Sequence, residues 1–239
     1  MTILTLEAVS KSYGALKVTD GISLSVASGE TLGILGPNGA GKTTLFNLIS
    51  GDLRVDAGRV VFAQQDVTSL PPHRRCRQGI GRSYQIPHPF VGMTVFENVL
   101  VGATSGGRMS PDEAYPHCID VLQRTGLYAK ANQLAGALPL LDRKRLELAR
   151  ALATRPRLLL LDEIAGGLTD QEAKALVALI NEIKATGISL LWVEHVVHAL
   201  LAVADRLFVM HFGCKLAEGE PQAVLANAEV KRVYMGIEV

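Results

Sequence analysis

The chain has 239 residues, 48% of them hydrophobic, with 24 basic and 23 acidic side chains and a formal net charge of +1. That length and apolar content suffice for one large α/β domain or a core with a subdomain, and the balanced charge gives no global electrostatic footprint for nucleic acid. Three cysteines, Cys76, Cys118 and Cys214, lie far apart without C-x-x-C spacing and read as free thiols in a reducing compartment. The start lacks a basic stretch followed by an apolar one, and no run reaches the ~18 to 20 apolar residues of a membrane span. The expectation is a soluble, cytosolic chain unless a partner holds it at a membrane.

In chain order, short strands are predicted over 4–9, 22–26, 31–35 and 58–62, a β-rich lobe. The third strand runs into Gly36-Pro37-Asn38-Gly39-Ala40-Gly41-Lys42-Thr43-Thr44, and Leu45-Phe46-Asn47-Leu48-Ile49 follows with helical character. The pattern G-x-x-x-x-G-K-[ST] between a buried strand and a helix is a phosphate-binding loop. Glycines let successive N–H groups turn onto phosphate oxygens, and the helix beginning near Lys42 adds its positive N-terminal dipole. Lys42 would meet the β- and γ-phosphates, and the Thr43 hydroxyl would coordinate Mg²⁺.

From about 90 to 154 the pattern turns helical. Thr94 with Glu97, and Ser110 with Glu113, form capping boxes, the second with Pro111 at the first helical position. Ala114, Cys118, Val121, Leu122 and Thr125 then repeat at helical spacing. From 158 onward strands and helices alternate again: a strand over 158–161, a helix over 169–186 capped by Thr169 with Glu172, a strand over 189–193, a helix near 196–202 and a strand over 207–211. Two α/β stretches flanking a helical insertion imply one sheet-based core, divided as about 1–86 and 155–239 for the core and about 87–154 for the helical subdomain.

The run Leu158-Leu159-Leu160-Leu161 ends in Asp162-Glu163. A fully apolar strand closing on two carboxylates is where parallel sheets place ligand chemistry. Asp162 would hold Mg²⁺ through water beside Thr43, and Glu163, on the opposite side, would polarise or deprotonate an attacking water.

The order Tyr13, phosphate loop, Gln85, helical segment, Asp162-Glu163, Gly167-Leu168-Thr169 and His195 resembles the nucleotide-binding subunits of ATP-binding cassette (ABC) transporters. Gly81-Arg82-Ser83-Tyr84-Gln85, Gly92 to Val99, Val193-Glu194-His195 and Val233-Tyr234-Met235-Gly236 are similar to subunits of branched-chain amino-acid importers. The resemblance implies an α/β P-loop NTPase core with a mostly parallel sheet, an N-terminal antiparallel β lobe and an inserted helical subdomain. It further implies that Tyr13 stacks on adenine, that Gly36, Asn38, Gly39, Ala40, Gly41, Lys42, Thr43 and Thr44 hold the phosphates, and that Gln85 touches Mg²⁺ or the attacking water. His195 would contact the γ-phosphate and orient Glu163. Without the resemblance, Tyr13 and Gln85 read as exposed side chains at strand ends.

One segment departs from the family. Spacing from Asp162 puts the signature L-S-G-G-Q on Leu138-Pro139-Leu140-Leu141-Asp142; a register using Leu134-Ala135-Gly136-Ala137 would shift the following helix by about one turn. Pro139 supplies neither hydroxyl nor N–H, the leucines replace glycines, and Asp142 would face an anionic ligand. The neighbouring Asp142-Arg143-Lys144-Arg145 reads as a solvated first helical turn rather than a nucleic-acid patch. Thr169 and Ile164 replace a frequent Asp and Pro. The resemblance implies an ATP- and Mg²⁺-dependent ATPase, peripheral on the cytoplasmic face of the membrane, that drives an importer. Its partners would be a second cassette subunit, a different one by preference, permease subunits and, indirectly, a substrate-binding protein, with no nucleic acid. A weakly catalytic regulatory subunit and a soluble ABC protein acting on nucleic acid or ribosomes are the alternatives.

Overall fold

In the computed structural model, which describes residues 1–235, the amino-terminal third forms an antiparallel lobe. β1 (Thr2–Tyr13) and β2 (Leu16–Ala27) make a hairpin, from which β3 (Thr31–Leu35) departs into the centre of the molecule. α1 (Lys42–Ser50) follows, and β4 (Ala57–Phe62) with β5 (Gln65–Asp66) completes the lobe in the order β2-β1-β4-β5. The hairpin strands are longer than predicted. Only Leu4, Leu6, Val9, Ile22, Leu24 and Val26 carry the buried alternation, whereas the polar extensions are held by pairing that includes register shifts.

Next come α2 (Pro72–Gln78) and β6 (Ile80–Ser83), then the helical insertion with α3 (Val95–Val101), α4 (Pro111–Arg124) and α5 (Leu140–Ala153). The caps form as the sequence predicts. Thr94 and Glu97 satisfy each other's N–H groups, and the Glu113 carboxylate accepts from the N–H and hydroxyl of Ser110. β7 (Leu158–Asp162), α6 (Asp170–Ala185), β8 (Ser189–Val193), α7 (Val197–Leu201), β9 (Arg206–His211), β10 (Cys214–Gly219) and α8 (Pro221–Ala226) follow. Of the carboxy-terminal segment likened to importer subunits, Gly236 lies outside the described residues.

The central sheet runs β10-β9-β3-β8-β7-β6, parallel from β9 to β6 with β10 antiparallel at one edge. β3, β7 and β8 at its centre are buried on both faces, which explains their largely apolar runs, whereas β10 at the edge is not. Leu158 and Leu160 face a core shared with α1 and the β lobe, while Leu159 and Leu161 face the helices of the insertion and α6. Parallel pairing brings the carboxyl ends of β3, β6, β7 and β8 to one edge, and the sequence-predicted polar residues follow those ends.

Candidate functional site

The loop after β3 turns through three glycines with positive φ: Gly36 at 156°, Gly39 at 80° and Gly41 at 98°. Two are required by space as well as conformation. A Cβ on Gly36 would lie 2.4 Å from the carbonyl oxygen of Met210, and one on Gly41 would lie 2.3 Å from that of Val18. The loop is thus clasped between β9 and β2, and the Gly213 N–H to Ala40 oxygen bond of 3.1 Å closes the clasp. Lys42 opens α1 with its side chain folded inward, its ammonium donating to the carbonyls of Gly36 at 2.8 Å and Pro37 at 3.0 Å. Burial lowers its pKa, opposed by the nearby charges of Glu163 and Asp162. Asn38, Gly39 and Thr43 form the exposed rim, and Ala40 is buried beneath it. Tyr13 stands 51% exposed at the end of the hairpin whose second strand abuts the loop.

Asp162 ends β7 buried, and the Arg82 guanidinium donates to its Oδ2 at 2.8 Å. Burial pushes the Asp162 pKa up and Arg82 pulls it down. Its other oxygen, Oδ1, is buried with no partner. Glu163 follows in the left-handed region, at φ 48°, so the chain bends sharply and the carboxylate emerges on the rim. There Gln85 donates to Oε2 at 2.5 Å, and His195 Nε2 lies 2.7 Å from Oε1. Gln85, Asp162, Glu163 and His195, predicted from separate parts of the chain, therefore converge at one sheet edge.

Two residues of this edge were not assigned roles from the sequence. Arg82 is one, and Glu194 is the other. Glu194 is buried and accepts from the N–H groups of Ala165 at 2.6 Å, His195 at 3.1 Å and Val196 at 3.4 Å. It joins the turn after Glu163 to the turn carrying His195, and burial raises its pKa. The available signal was a carboxylate directly following the apolar run of β8.

The signature-like segment adopts the register counted from Asp162. Residues Ala135–Ala137 form a 3₁₀ turn, Pro139 is the N-cap, and α5 begins at Leu140. Its first turn is not solvated as predicted. Asp142 and Lys144 are each only 5% exposed, with Asp142 paired to Lys130 and, at 3.7 Å, to Arg145. Arg143 turns back to donate to the carbonyls of Leu138 and Gly136. The Asp142 charge is thus compensated locally by Lys130 and Arg145.

A glycine-lined strand-to-helix loop beside an acidic strand end, on a parallel sheet with an antiparallel lobe and a helical insertion, defines a P-loop ATPase of the cassette type. The family model described as ABC transporter matches residues 19–166, and the chain belongs to that family. It is 35% identical to the Haemophilus influenzae lipopolysaccharide export system ATP-binding protein LptB over 236 residues, 99% of this chain and 98% of that one. It is 32% identical to the Pseudomonas aeruginosa high-affinity branched-chain amino acid transport ATP-binding protein BraF over 249 residues, 98% of each. Among solved structures, the ADP conformation of MJ1267, an ATP-binding cassette of an ABC transporter, superposes with a TM-score of 0.90 at 35% identity, covering 99% of this chain and 100% of that one. The chain is an ABC ATP-binding subunit, an ATPase coupled to transport.

Proposed function

We propose that this chain energises an importer of branched-chain amino acids or related small solutes from the cytoplasmic face of the membrane. It would pair with a second cassette subunit around two ATP molecules, with permease subunits above it and a binding protein acting through them. Residues 87–154 would serve as the helical subdomain on an α/β core of 1–86 and 155–239. The observation supporting hydrolysis is the Glu163 carboxylate, held between Gln85 and His195 one residue after Asp162. The same position favours an active subunit over a regulatory one. No nucleic-acid partner belongs to this reading.

In this reading the N–H groups around Gly36 to Thr44 and the Lys42 ammonium bind the phosphates, and Tyr13 receives the adenine ring. The donor set fits Mg²⁺: a hard cation commonly uses one or two carboxylates plus phosphate oxygens, and Asp162 offers a buried unpaired oxygen near a hydroxyl-bearing loop. Thr43, Asp162 and Gln85 would hold it, and it would neutralise charge on the phosphates. Glu163 accepts the proton of the attacking water, and His195, anchored through Glu194, keeps that carboxylate oriented.

BraF and the importer-like motifs support import. The similarity to LptB supports a second reading, lipopolysaccharide export. Purifying the chain from its native cell and identifying the membrane subunits bound to it separates them: import requires a permease of the amino-acid importer type, and recovery with an export permease would overturn it.

A further inference from the structure

Arg82 lies in β6 with its side chain only 7% exposed and its two terminal nitrogens engaged in different directions. Nη2 donates to Asp162 Oδ2 at 2.8 Å. Nη1 donates to Asn47 Oδ1 at 2.6 Å, to Asp52 Oδ2 at 3.0 Å and to Ser50 Oγ at 3.1 Å. The guanidinium also lies 4.6 Å from the centre of the Tyr84 ring and 5.8 Å from that of Phe46. Only a planar fork of donors can meet a carboxylate on one side and this polar group on the other; an ammonium is a point donor.

The two sides open on different places. On the inner side, holding Oδ2 stops the carboxylate from rotating and leaves Oδ1 as its buried, unpartnered acceptor. On the outer side, Ser50, Asp52, Arg82 and Tyr84 line a cleft of about 300 Å³ whose far wall is Glu147 and Arg150 of α5. Tyr84 is 41% exposed there.

We propose that Arg82 is a positioning residue for Asp162, braced on its outer side by Asp52, so that Oδ1 is left as the free metal-facing oxygen. The proposal rests on the assignment of Asp162 to Mg²⁺ made above.

The test uses the purified full chain and a fluorescent ATP analogue, titrated in EDTA and across a range of MgCl₂. Arg82→Lys should keep the wild-type affinity in EDTA, which depends on the phosphate loop. It should raise the half-saturating Mg²⁺ about 10- to 100-fold, the usual loss when the group orienting a metal ligand is removed. Asp52→Asn, a more exposed change, should raise it by a smaller factor. An Arg82→Lys protein that binds ATP in EDTA normally and has wild-type Mg²⁺ dependence overturns the positioning role. If Arg82→Lys fails to fold, Asp52→Asn decides: unchanged Mg²⁺ dependence overturns the proposal and a rise supports it. A wild-type protein indifferent to Mg²⁺ would instead overturn the metal assignment itself, an outcome distinct from identical responses of wild type and variant.

Discussion

Glu163 sits in a backbone conformation that a side-chain-bearing residue adopts rarely, held by its N–H bond of 2.9 Å to the Val193 carbonyl. This bend sends its carboxylate between Gln85 and His195, so one residue step separates the carboxylate proposed for the metal from the one proposed to accept the proton. Glu163→Gln should retain ATP binding and lose about 10²- to 10⁴-fold in turnover, the usual contribution of a general base. Near-normal turnover in the assembled transporter would reject the role. In the loop, the glycines differ in what they tolerate. Gly41→Ala places a methyl group 2.3 Å from a backbone oxygen and should abolish ATP binding, whereas Gly39, with φ 80° and nothing within 4 Å, loses only its conformational freedom. Gly39→Ala should cost about 1 to 2 kcal/mol and keep measurable affinity. Equal ATP affinities in the two variants would refute this ordering.

Elements were legible where their chemistry is local. The Thr169 cap is an example: its side chain and that of Glu172 each serve the other's backbone N–H, a pattern visible within four letters. Thr169→Ala should lower stability by about 1 kcal/mol in denaturant unfolding with ATP affinity unchanged. No loss of stability would show that the cap adds nothing to α6. By contrast α2 was invisible, because Pro-His-Arg-Arg-Cys-Arg-Gln has no apolar period. Arg75 anchors it from the interior, 1% exposed, donating to the carbonyls of Leu48 and Ile49 at the end of α1 and to those of Thr68 and Leu70. Nothing in the letters distinguishes Arg75 from its neighbours Arg74 and Arg77. The first turn of α5 was misread for the same reason. Asp142 and Lys144 look like surface charges until the fold buries them, with Lys130 brought to Asp142. The site divides along the same line: the loop and Asp162-Glu163 are contiguous, whereas Arg82 and Glu194 act through residues 80 and 29 positions away.

At the scale of the whole molecule, the proposed function assigns partner contacts to two surfaces. One is the segment after Gln85, where Ile86, Phe90 and Val91 are exposed beside the cleft. Asn98 fixes the backbone of Phe90 from both sides, and Arg150 lies 5.0 Å from its ring centre. With the backbone held independently of the ring, Phe90→Glu should abolish co-purification with membrane subunits while ATP binding stays intact. Loss of folding would instead assign Phe90 to the core.

The other surface is the amino end of α5. Pro139 caps the helix without a side-chain hydrogen bond, and Leu140 projects 46% exposed where the family places small residues. Leu140 and Leu141 still present backbone N–H groups at a helix start, without the serine hydroxyl of the family's motif. If the chain pairs with a different cassette subunit whose signature is intact, the two ATP sites become unequal. The site built from Lys42, Asp162, Glu163 and His195 borrows the good signature and turns over. The site completed by residues 138–142 of this chain holds nucleotide and is slow. Disabling each catalytic glutamate in turn in the assembled complex tests this: Glu163→Gln should remove most activity, and the equivalent change in the partner little. Equal losses would exclude unequal sites and leave the ATPase itself standing. In a homodimer every site would carry the altered segment, and the isolated protein should hydrolyse ATP poorly.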